Sequence, residues 1–370
     1  MNLICGLRAA IADVLPPTAA LRRFAPEKTA MSNDLVLSLE EAHALVVAAL
    51  RASNTDADVA ESVARALVAA EADGQAGHGL VRVPSYSSHA RNGKVDGHAR
   101  PSAEVVTPSV LRVDANFGFA YPAFDLALAQ LPEMTARTGI AIAAVRRSHH
   151  FGQAGAHCER LAEKGLIAFV YGNAPKAIAP WGGKRPLFGT NPIAFAAPVG
   201  EGRPPLVIDL AVSTVAKGKI VAAQKAGRST IPEGWALDPD GNPTTDVEMA
   251  MDGTMIPIGG AKGSALALMV EVMSAALVGS SLSTETSSLF TPDGPAPNLG
   301  QTILAIDPGP ISGGAFAGRM DALLEGLAGE EGARLPGSRR LSAREHASAN
   351  GISVNAPLHA EILEIVAGRG

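Results

Sequence analysis

Apolar residues recur at helical spacing near the start of the regularly patterned part of the chain. Ser38 and Glu41 have the spacing of a capping box, and the apolar positions after them predict a helix that ends near Ala52. A second pattern of the same period begins at Asp56 and predicts another amphipathic helix. Two helices are therefore expected ahead of a loop over residues 72–80.

Beyond residue 97, short apolar runs alternate with amphipathic segments. The runs predict strands over residues 110–113, 140–145, 166–171, 206–210 and 302–306. The other segments predict helices over residues 123–137, 154–164, 316–327 and 356–366. Pro132 should kink or end the first of these helices, because proline lacks the N–H that bonds one turn back. The alternation of strands and helices predicts an α/β fold whose sheet is largely covered.

The longest apolar run covers residues 264–279 and contains Glu271. It is shorter than the roughly 20 apolar residues needed to span a bilayer, so we expect no membrane-spanning segment. The run instead predicts a helix buried between layers.

Composition narrows the class of protein. The chain has 370 residues, 47% hydrophobic and 18% charged, which excludes a disordered chain. At roughly 150 residues per domain, this length suggests two or three domains. The formal net charge of −5 leaves no basic footprint for nucleic acid. The two cysteines, Cys5 and Cys158, cannot make a disulfide framework or a zinc site, so we expect no metal and a reducing, cytoplasmic location.

Residues 1–30 differ from the rest of the chain. They carry four basic and two acidic residues, and Pro16 and Pro17 interrupt their apolar stretch. We expect a disordered, dispensable extension or a misassigned start ahead of Met31, rather than a targeting peptide.

Histidine and arginine side chains offer the first candidate chemistry. His78 lies between Gly77 and Gly79, with Arg82 four residues further on. If a helix begins there, the two side chains share one side and supply a proton donor and a fork for a carboxylate. A loop histidine beside a surface arginine is the alternative interpretation. No strand is followed by G-x-G-x-x-G, so a Rossmann cofactor site has no support.

Other candidates sit where strands or helices end. His149 and His150 follow a predicted strand, and at most one of them should face a cleft because neighbouring strand residues point opposite ways. Thr190 lies in a Gly-Thr-Asn-Pro turn that can present a hydroxyl and backbone N–H groups. Gly259 and Gly260 precede a helix start that suits an anion.

A basic loop over residues 334–340 supplies a possible phosphate site. Arg334, Arg339 and Arg340 surround a Pro-Gly pair, and three guanidinium groups on a tight loop could clamp a phosphate. A solvated basic loop is the alternative.

Taken together, these segments resemble the malate/L-lactate dehydrogenase family of the second, non-Rossmann type. That family includes malate, lactate, sulfolactate and ureidoglycolate dehydrogenases and the Δ1-piperideine/Δ1-pyrroline-2-carboxylate reductases. The resemblance runs from about Leu37 to the C-terminus. The matching stretches are Gly77-His78-Gly79 with Arg82, and residues 148–152, 179–198, 207–210, 217–219, 231–246, 259–271 and 334–340.

The resemblance implies a non-Rossmann mixed-sheet cofactor domain and a helical domain formed from both chain ends. The corresponding limits are residues 31–105 for the N-terminal helical part, 106–310 for the α/β cofactor and substrate region, and 311–370 for the C-terminal helical part that packs on the N-terminal helices. It also implies a homodimer.

The resemblance also assigns site residues. His78 would be the proton donor, Arg82 the carboxylate anchor and Thr190 a substrate contact. The residues implied for the nicotinamide dinucleotide are His150, Phe151, Gly152, Ile208, Asp209, Leu210, Gly259, Gly260, Arg334, Arg339 and Arg340. NADP is the preferred cofactor, because three arginines suit a 2′-phosphate, and NAD remains possible.

Two departures from the family pattern bear on the substrate. Gly77 stands where many relatives have serine, and Lys217-Gly218-Lys219 lacks the acidic residue of the imine reductases, whereas Ser264-Ala265 looks more like those reductases. The main hypothesis is an NAD(P)-dependent oxidoreductase that moves a hydride to or from C2 of a small 2-oxo or 2-hydroxy acid, such as malate, lactate or sulfolactate. An NADPH-dependent reductase of cyclic 2-imino acids is one alternative, and an inactive cofactor-binding homologue is another.

Overall fold

The computed structural model describes residues 34–200 and 202–369, so the expected extension over residues 1–30 lies outside the described part. The strands are β1 (Leu35–Leu37), β2 (Ser102–Thr107), β3 (Val110–Asp114), β4 (Ile140–Ser148), β5 (Ile167–Gly172), β6 (Ile193–Ala197), β7 (Leu206–Leu210), β8 (Ala236–Leu237), β9 (Pro243–Thr244), β10 (Thr254–Met255), β11 (Leu299–Ile306) and β12 (Ile352–Val354). The helices are α1 (Leu39–Arg51), α2 (Ala57–Ala72), α3 (Val83–Arg91), α4 (Ala120–Thr138), α5 (Ala154–Ala162), α6 (Lys217–Lys225), α7 (Val247–Asp252), α8 (Ala261–Glu271), α9 (Pro308–Ser312), α10 (Phe316–Ala328), α11 (Ser338–Asn350) and α12 (Ala356–Val366).

Helices from both ends of the chain form one unit, which we call the helical unit. α1 packs on α2, α11 contacts α2, and α12 contacts α1 and α3. β1 pairs antiparallel with β12 and so ties the two chain ends together. Ser38 caps α1 as predicted, because its Oγ accepts from the Glu41 N–H at 3.1 Å and its own N–H donates to the Glu41 carboxylate at 2.8 Å.

A seven-stranded mixed sheet forms the second part, which we call the sheet unit. The strand order is β2-β3-β4-β11-β5-β6-β7, and β3–β4 is its parallel pair. Such an order differs from the parallel doubly wound sheet of Rossmann domains, so the predicted non-Rossmann mixed sheet is confirmed. α4 and α5 bury one face of the sheet through a core that includes Phe124, Leu161 and Ile303.

A small third part of the molecule lies next to the edge of the sheet unit. β8, β9 and β10 form a three-stranded sheet, and α6 and α7 pack with it around buried Ile178, Val212 and Ile220. The turn that contains Thr190 connects this part to β6.

The prediction that Pro132 ends its helix is wrong, whereas the alternative of a kink at Pro132 stays a prediction. α4 runs from Ala120 to Thr138 with Pro132 inside it, and it ends at Gly139 in the left-handed conformation. Pro132 cannot donate to the carbonyl of Leu128, and the Lys164 ammonium approaches that carbonyl at 3.5 Å instead. The substitute donor satisfies the carbonyl that proline leaves free.

The prediction of a helix buried between layers over residues 264–279 is also wrong. α8 begins three residues earlier, and a turn of π-helix over residues 272–276 follows it. Glu271 is buried, but several apolar side chains are 38–56% exposed: Leu266, Leu268, Met269, Val272 and Leu277. Within the described residues, no helix has both the length and the apolar character needed to cross a membrane.

The structure differs from three further expected limits. Arg339 and Arg340 lie in the first turn of α11, so the prediction of a loop over residues 334–340 is wrong for its last three residues. α10 packs its Met320 and Leu324 against Val199 at the sheet unit, so only the chain from α11 onward joins the helical unit. The expected boundary at residues 105–106 falls inside β2.

A cluster of four charges joins the helical unit to the sheet unit. Arg340 on α11 donates to both carboxylate oxygens of Glu159 on α5, at 2.7 and 2.9 Å. Arg344 donates to the same carboxylate and to Asp73 at the end of α2, at 2.7–3.2 Å. Burial acts to raise the pKa of Glu159, but the hydrogen bonds from Arg344 and Arg340 outweigh it and lower that pKa. Glu159 therefore stays ionised, and the ion pairs of Glu159 and Asp73 with α11 link three helices.

We predict that Arg340→Ala lowers the free energy of unfolding by about 3 kcal/mol, because it removes one of two guanidinium partners from buried Glu159. Urea unfolding followed by circular dichroism measures this loss. Arg339→Ala is the matched control, since its exposed side chain on the same turn should contribute less than about 0.5 kcal/mol. Equal losses for the two variants would contradict the assigned role of the cluster.

Candidate active site

His78 and Arg82 lie on two short helical turns between α2 and α3. The turns cover residues 76–78 and 80–82, so the pair does not share one face of a helix as expected. Arg82 instead folds back, and its Nε donates to the carbonyl of Gly77 at 2.7 Å. In the described part of the chain, Arg82 has no carboxylate partner, so its two Nη groups can receive an anion.

Glu71 fixes the loop that carries His78. Its half-buried carboxylate accepts from the N–H of Leu80 at 2.8 Å, and Gly79 leaves the space that this carboxylate occupies. A Cβ at Gly79 would fall on Glu71 Oε2, whereas a Cβ at Gly77 would meet nothing within 4 Å. The two glycines that flank His78 therefore have different roles.

The chain places His150 next to His78. The two imidazole rings stack with centroids 5.4 Å apart and planes 13° from parallel. His149 points the other way into the interior, where its Nε2 lies 3.0 Å from His89 Nδ1. The prediction that at most one of the two neighbouring histidines faces the cleft is confirmed.

Both stacked imidazoles are neutral near pH 7. Burial, followed by the charge of Arg82, lowers the pKa of His78 to about 4. Burial also lowers the pKa of His150 well below its ordinary value, with Arg82 the next cause. The positive charge in this part of the site therefore belongs to Arg82 and not to the imidazoles.

Two tyrosines complete this part of the site, and sequence reasoning missed them. The Tyr86 hydroxyl lies 2.6 Å from His150 Nδ1 and 3.1 Å from the Tyr121 hydroxyl. Gly152 has φ of +69°, and a Cβ there would reach within 2.5 Å of the Tyr121 hydroxyl, so glycine is required at this approach. The available signal was scarcity, because the chain has only three tyrosines.

A cavity of about 330 Å³ lies where α11 begins, and we call it the basic cavity. Asp209 and Gln153 line it on the sheet side, and Arg334 and Arg339 line it on the other side. Asp209 accepts from the Gly155 N–H in the first turn of α5 at 2.7 Å. Gln153 lies three residues after His150 in the chain, so one short segment connects the basic cavity to the His150 side of the site.

Some of the expected cofactor residues cannot contribute side chains to this cavity. Arg340 also lines it, but its guanidinium is committed to Glu159. Ile208 and Leu210 alternate with Asp209 along β7, so their side chains point to the opposite face of the sheet. Phe151 is buried and stacks on Phe124. Ile208, Leu210 and Phe151 could therefore contact a cofactor in this cavity only through their backbone atoms.

Thr190, Gly259 and Gly260 lie in the third part of the molecule. Among the described residues, no hydrogen bond joins them to His78 or Arg82. The Thr190 turn is held by its neighbour Asn191, which donates to buried Glu271 at 2.9 Å. Gly259 and Gly260 have φ of +62° and +64° and begin α8. Their expected roles stay predictions.

Comparisons with known proteins agree with this architecture. A sequence model of the malate/L-lactate dehydrogenase family matches residues 37–363. The chain is 50% identical over 309 residues to a (2R)-3-sulfolactate dehydrogenase (NADP(+)) from Chromohalobacter salexigens, covering 84% of this chain and 92% of that one. It is 40% identical over 333 residues to a delta(1)-pyrroline-2-carboxylate/delta(1)-piperideine-2-carboxylate reductase from Pseudomonas aeruginosa, covering 89% and 99% of the two chains. The crystal structure of a delta1-piperideine-2-carboxylate reductase from Pseudomonas syringae superposes with a TM-score of 0.83 at 38% identity, covering 90% and 99%.

We predict that Gly79→Ala destabilises the fold by about 1–3 kcal/mol and lowers activity, because the new Cβ displaces the Glu71 carboxylate from Leu80. Gly77→Ala is the matched control and should melt within a degree or two of the unmodified chain, since its Cβ enters open space. Thermal melting measures both. A Gly79→Ala chain as stable as the Gly77→Ala chain would show that Glu71 does not fix this loop.

Proposed function

The chain belongs to the malate/L-lactate dehydrogenase family and is an oxidoreductase, and we propose that it transfers a hydride between NADP and C2 of a small 2-hydroxy or 2-oxo acid. Substrates of the sulfolactate, malate or lactate type fit this proposal, and the NADP-dependent sulfolactate dehydrogenase relative supports it. The observation that carries it is the Arg82 guanidinium, held beside two neutral imidazoles and without a carboxylate partner in the described chain.

Arg82 is the proposed anchor for the substrate carboxylate. Its Nε is fixed on the Gly77 carbonyl, so the two Nη groups at the outer edge of the guanidinium are left to bind the substrate. That edge matches the two oxygens of a carboxylate, and partial burial strengthens the charge-assisted bonds.

His78 is the proposed proton carrier at the C2 oxygen. In reduction it donates a proton to the oxygen as negative charge develops there, and in oxidation it takes the proton back. Its Nδ1 is enclosed by protein without a hydrogen-bond partner in the described chain, so exchange with substrate uses Nε2.

The basic cavity suits the phosphates of NADP, and the bound nicotinamide would supply or accept the hydride. Arg334 and Arg339 provide two guanidinium groups for the 2′-phosphate. Thr190, Gly259 and Gly260 remain proposed contacts, while Arg340 is left out because Glu159 occupies its guanidinium. NAD lacks the 2′-phosphate and would bind more weakly.

A cyclic 2-imino acid is the second candidate substrate. The Pseudomonas aeruginosa relative is named as a reductase of such imines. The pair Ser264-Ala265 resembles the sequence of these reductases at the same place, and Ser264 Oγ accepts a hydrogen bond from the Trp181 N–H at 2.9 Å. The same Arg82 and His78 would serve, because the imino acid also carries a carboxylate beside the reduced carbon. An inactive homologue is not retained, since both side chains are in place.

A panel of 2-oxo acids and cyclic imines, followed by loss of NADPH absorbance, separates the candidates. Turnover of sulfopyruvate, oxaloacetate or pyruvate at the highest kcat/KM supports the main proposal. Preference for a cyclic imine transfers the proposal to the second candidate, and no turnover of any of them contradicts both.

A homodimer is the proposed assembly, with the exposed face of α8 as its contact. Five apolar side chains on α8 and the turn after it are 38–56% exposed, an area that a second copy of the chain would cover. A cytoplasmic location is proposed with it.

We predict that Leu268→Asp converts the dimer into monomers, because a charge is costly in a buried apolar contact. Light scattering after gel filtration measures the mass. Leu323→Asp on α10 is the control, since that leucine is similarly exposed outside the α8 face. Dimers that survive Leu268→Asp, or are broken equally by Leu323→Asp, would contradict the proposed contact.

We predict that kcat/KM for reduction falls about tenfold per unit as pH rises from 5 to 8, whereas kcat/KM for oxidation changes far less. Reduction consumes one proton, so the ratio of kcat/KM for reduction to kcat/KM for oxidation must fall tenfold per pH unit in any mechanism. A His78 pKa of about 4 assigns that change to reduction, because the protonated donor becomes scarcer while the neutral acceptor is already present.

His78→Ala is the control for this profile. It should lower kcat roughly 10²–10⁴-fold and remove the assigned slope. A pH dependence that appears in kcat/KM for oxidation instead of reduction would show that His78 is not the proton carrier. Near-normal turnover by the His78→Ala enzyme would show the same.

We predict a preference for NADPH over NADH that Arg334→Ser with Arg339→Ser narrows by roughly 10²-fold, mainly through KM for NADPH. Two lost charge-assisted contacts account for this size. Arg319→Ser is the control, because that exposed arginine lies on α10, away from the basic cavity. A preference for NADH, or an unchanged NADPH preference in the double variant, would refute the assignment.

A further inference from the structure

The imidazole of His150 contacts one buried phenol, Tyr86, which in turn contacts a second buried phenol, Tyr121. Tyr86 on α3 is 2% exposed and Tyr121 on α4 is 3% exposed. Their hydroxyls lie 3.1 Å apart, and the Tyr86 hydroxyl lies 2.6 Å from His150 Nδ1. The three groups form a row in which Tyr86, from the helical unit, lies between Tyr121 and His150, which both belong to the sheet unit.

The protons in this row can be counted. Burial raises the pKa of Tyr86 to about 12 and raises that of Tyr121 well above its ordinary value, so each phenol keeps its single proton. His150 is neutral and carries one proton on one of its two nitrogens. The two phenols and the imidazole therefore carry three protons in all. These protons are distributed over the Tyr121–Tyr86 contact, the Tyr86–His150 contact and the remaining ring nitrogen, His150 Nε2.

One arrangement places each phenol proton in a hydrogen bond. Tyr121 donates to Tyr86, Tyr86 donates to His150 Nδ1, and His150 carries its own proton on Nε2. In the reverse arrangement His150 donates to Tyr86 and Tyr86 to Tyr121, which leaves the Tyr121 proton without an acceptor among the described residues. A buried donor without an acceptor is costly, so the first arrangement is favoured.

We propose that Tyr86, oriented by Tyr121, is a positioning residue that fixes His150 as a hydrogen-bond donor through Nε2. The His150 ring is only half-buried and stacks on His78, so its Nε2–H is offered to an oxygen of the molecules bound there. The two stacked imidazoles then have separate tasks: His78 exchanges the proton, and His150 donates a hydrogen bond without taking the proton.

This inference rests on the proposed function only for the identity of the acceptor. An oxygen on C2 of the acid and the carboxamide oxygen of nicotinamide have the same hydrogen-bonding chemistry. Loss of the donor would raise KM for the acid in the first case and the Kd of NADP⁺ in the second.

The first test reads the tautomer directly. Nitrogen-15 NMR of the full chain, labelled at histidine and assigned with His150→Gln, should show His150 with a bare Nδ1 and a protonated Nε2 in the free protein. Tyr86→Phe removes the donor and should shift His150 toward a mixture of tautomers. Tyr171→Phe is the matched control, since it removes the third tyrosine hydroxyl of the chain, outside this row.

The second test reads the consequence. Tyr86→Phe should lower kcat/KM roughly 10- to 100-fold at a temperature at which the variant is fully folded. It should also melt below Tyr171→Phe, because the buried Tyr121 hydroxyl loses its acceptor. Tyr121→Phe should have a smaller effect, because it only orients Tyr86.

Two results would overturn the inference. One is a protonated Nδ1 on His150 in the unmodified chain. The other is a Tyr86→Phe chain with the same His150 signals and kcat/KM as Tyr171→Phe. If neither acids nor imines are turned over, the proposed function fails, but the NMR result still decides the tautomer.

Discussion

The candidate site depends on one constraint, the fixed position of the helical unit against the sheet unit. His78 and Arg82 belong to the first unit and His150 to the second, so none of their geometry is set by a single element. Glu159 and Asp73, bound by Arg340 and Arg344, hold the two units together at one end of this contact. Such buried pairs add little net stability compared with apolar packing, but their directional bonds define one relative position.

Inside this contact the protein surrounds one cation with neutral groups. Burial keeps His78 and His150 uncharged, and Arg82 has no anionic partner among the described residues. An anionic substrate therefore meets a preorganised positive charge in a site of low polarity, where hydrogen bonds and charge contacts are stronger than in water. The same burial that makes the imidazoles neutral makes their hydrogen-bond partners decisive, which gives the Tyr86 hydroxyl its importance.

Much of the fold and part of the site could be predicted from the sequence. The capping box at Ser38, the strand over residues 206–210 and the closing helix over residues 356–366 depend on local patterns, and the structure contains each of them. His78 and Arg82 could be selected as candidates because glycines and charge mark them locally.

What could not be predicted depends on contacts between distant segments. The distant Lys164 approaches the carbonyl that Pro132 leaves free, so the local rule that proline ends a helix did not hold. Arg340 looked like a free cation because its partner Glu159 lies 181 positions away in the chain. Tyr86 gave no local signal, since its role exists only when α3 meets His150.

A crystal structure with NADP⁺ and oxamate, an unreactive carboxylate, tests the central claim most directly. The account predicts the oxamate carboxylate on the Nη groups of Arg82, an oxamate oxygen within hydrogen-bond distance of His78 Nε2, and the 2′-phosphate in the basic cavity beside Arg334 and Arg339. Binding of both ligands away from these residues, for example in the larger cavity of about 780 Å³ between Val199 and Phe316, would contradict it.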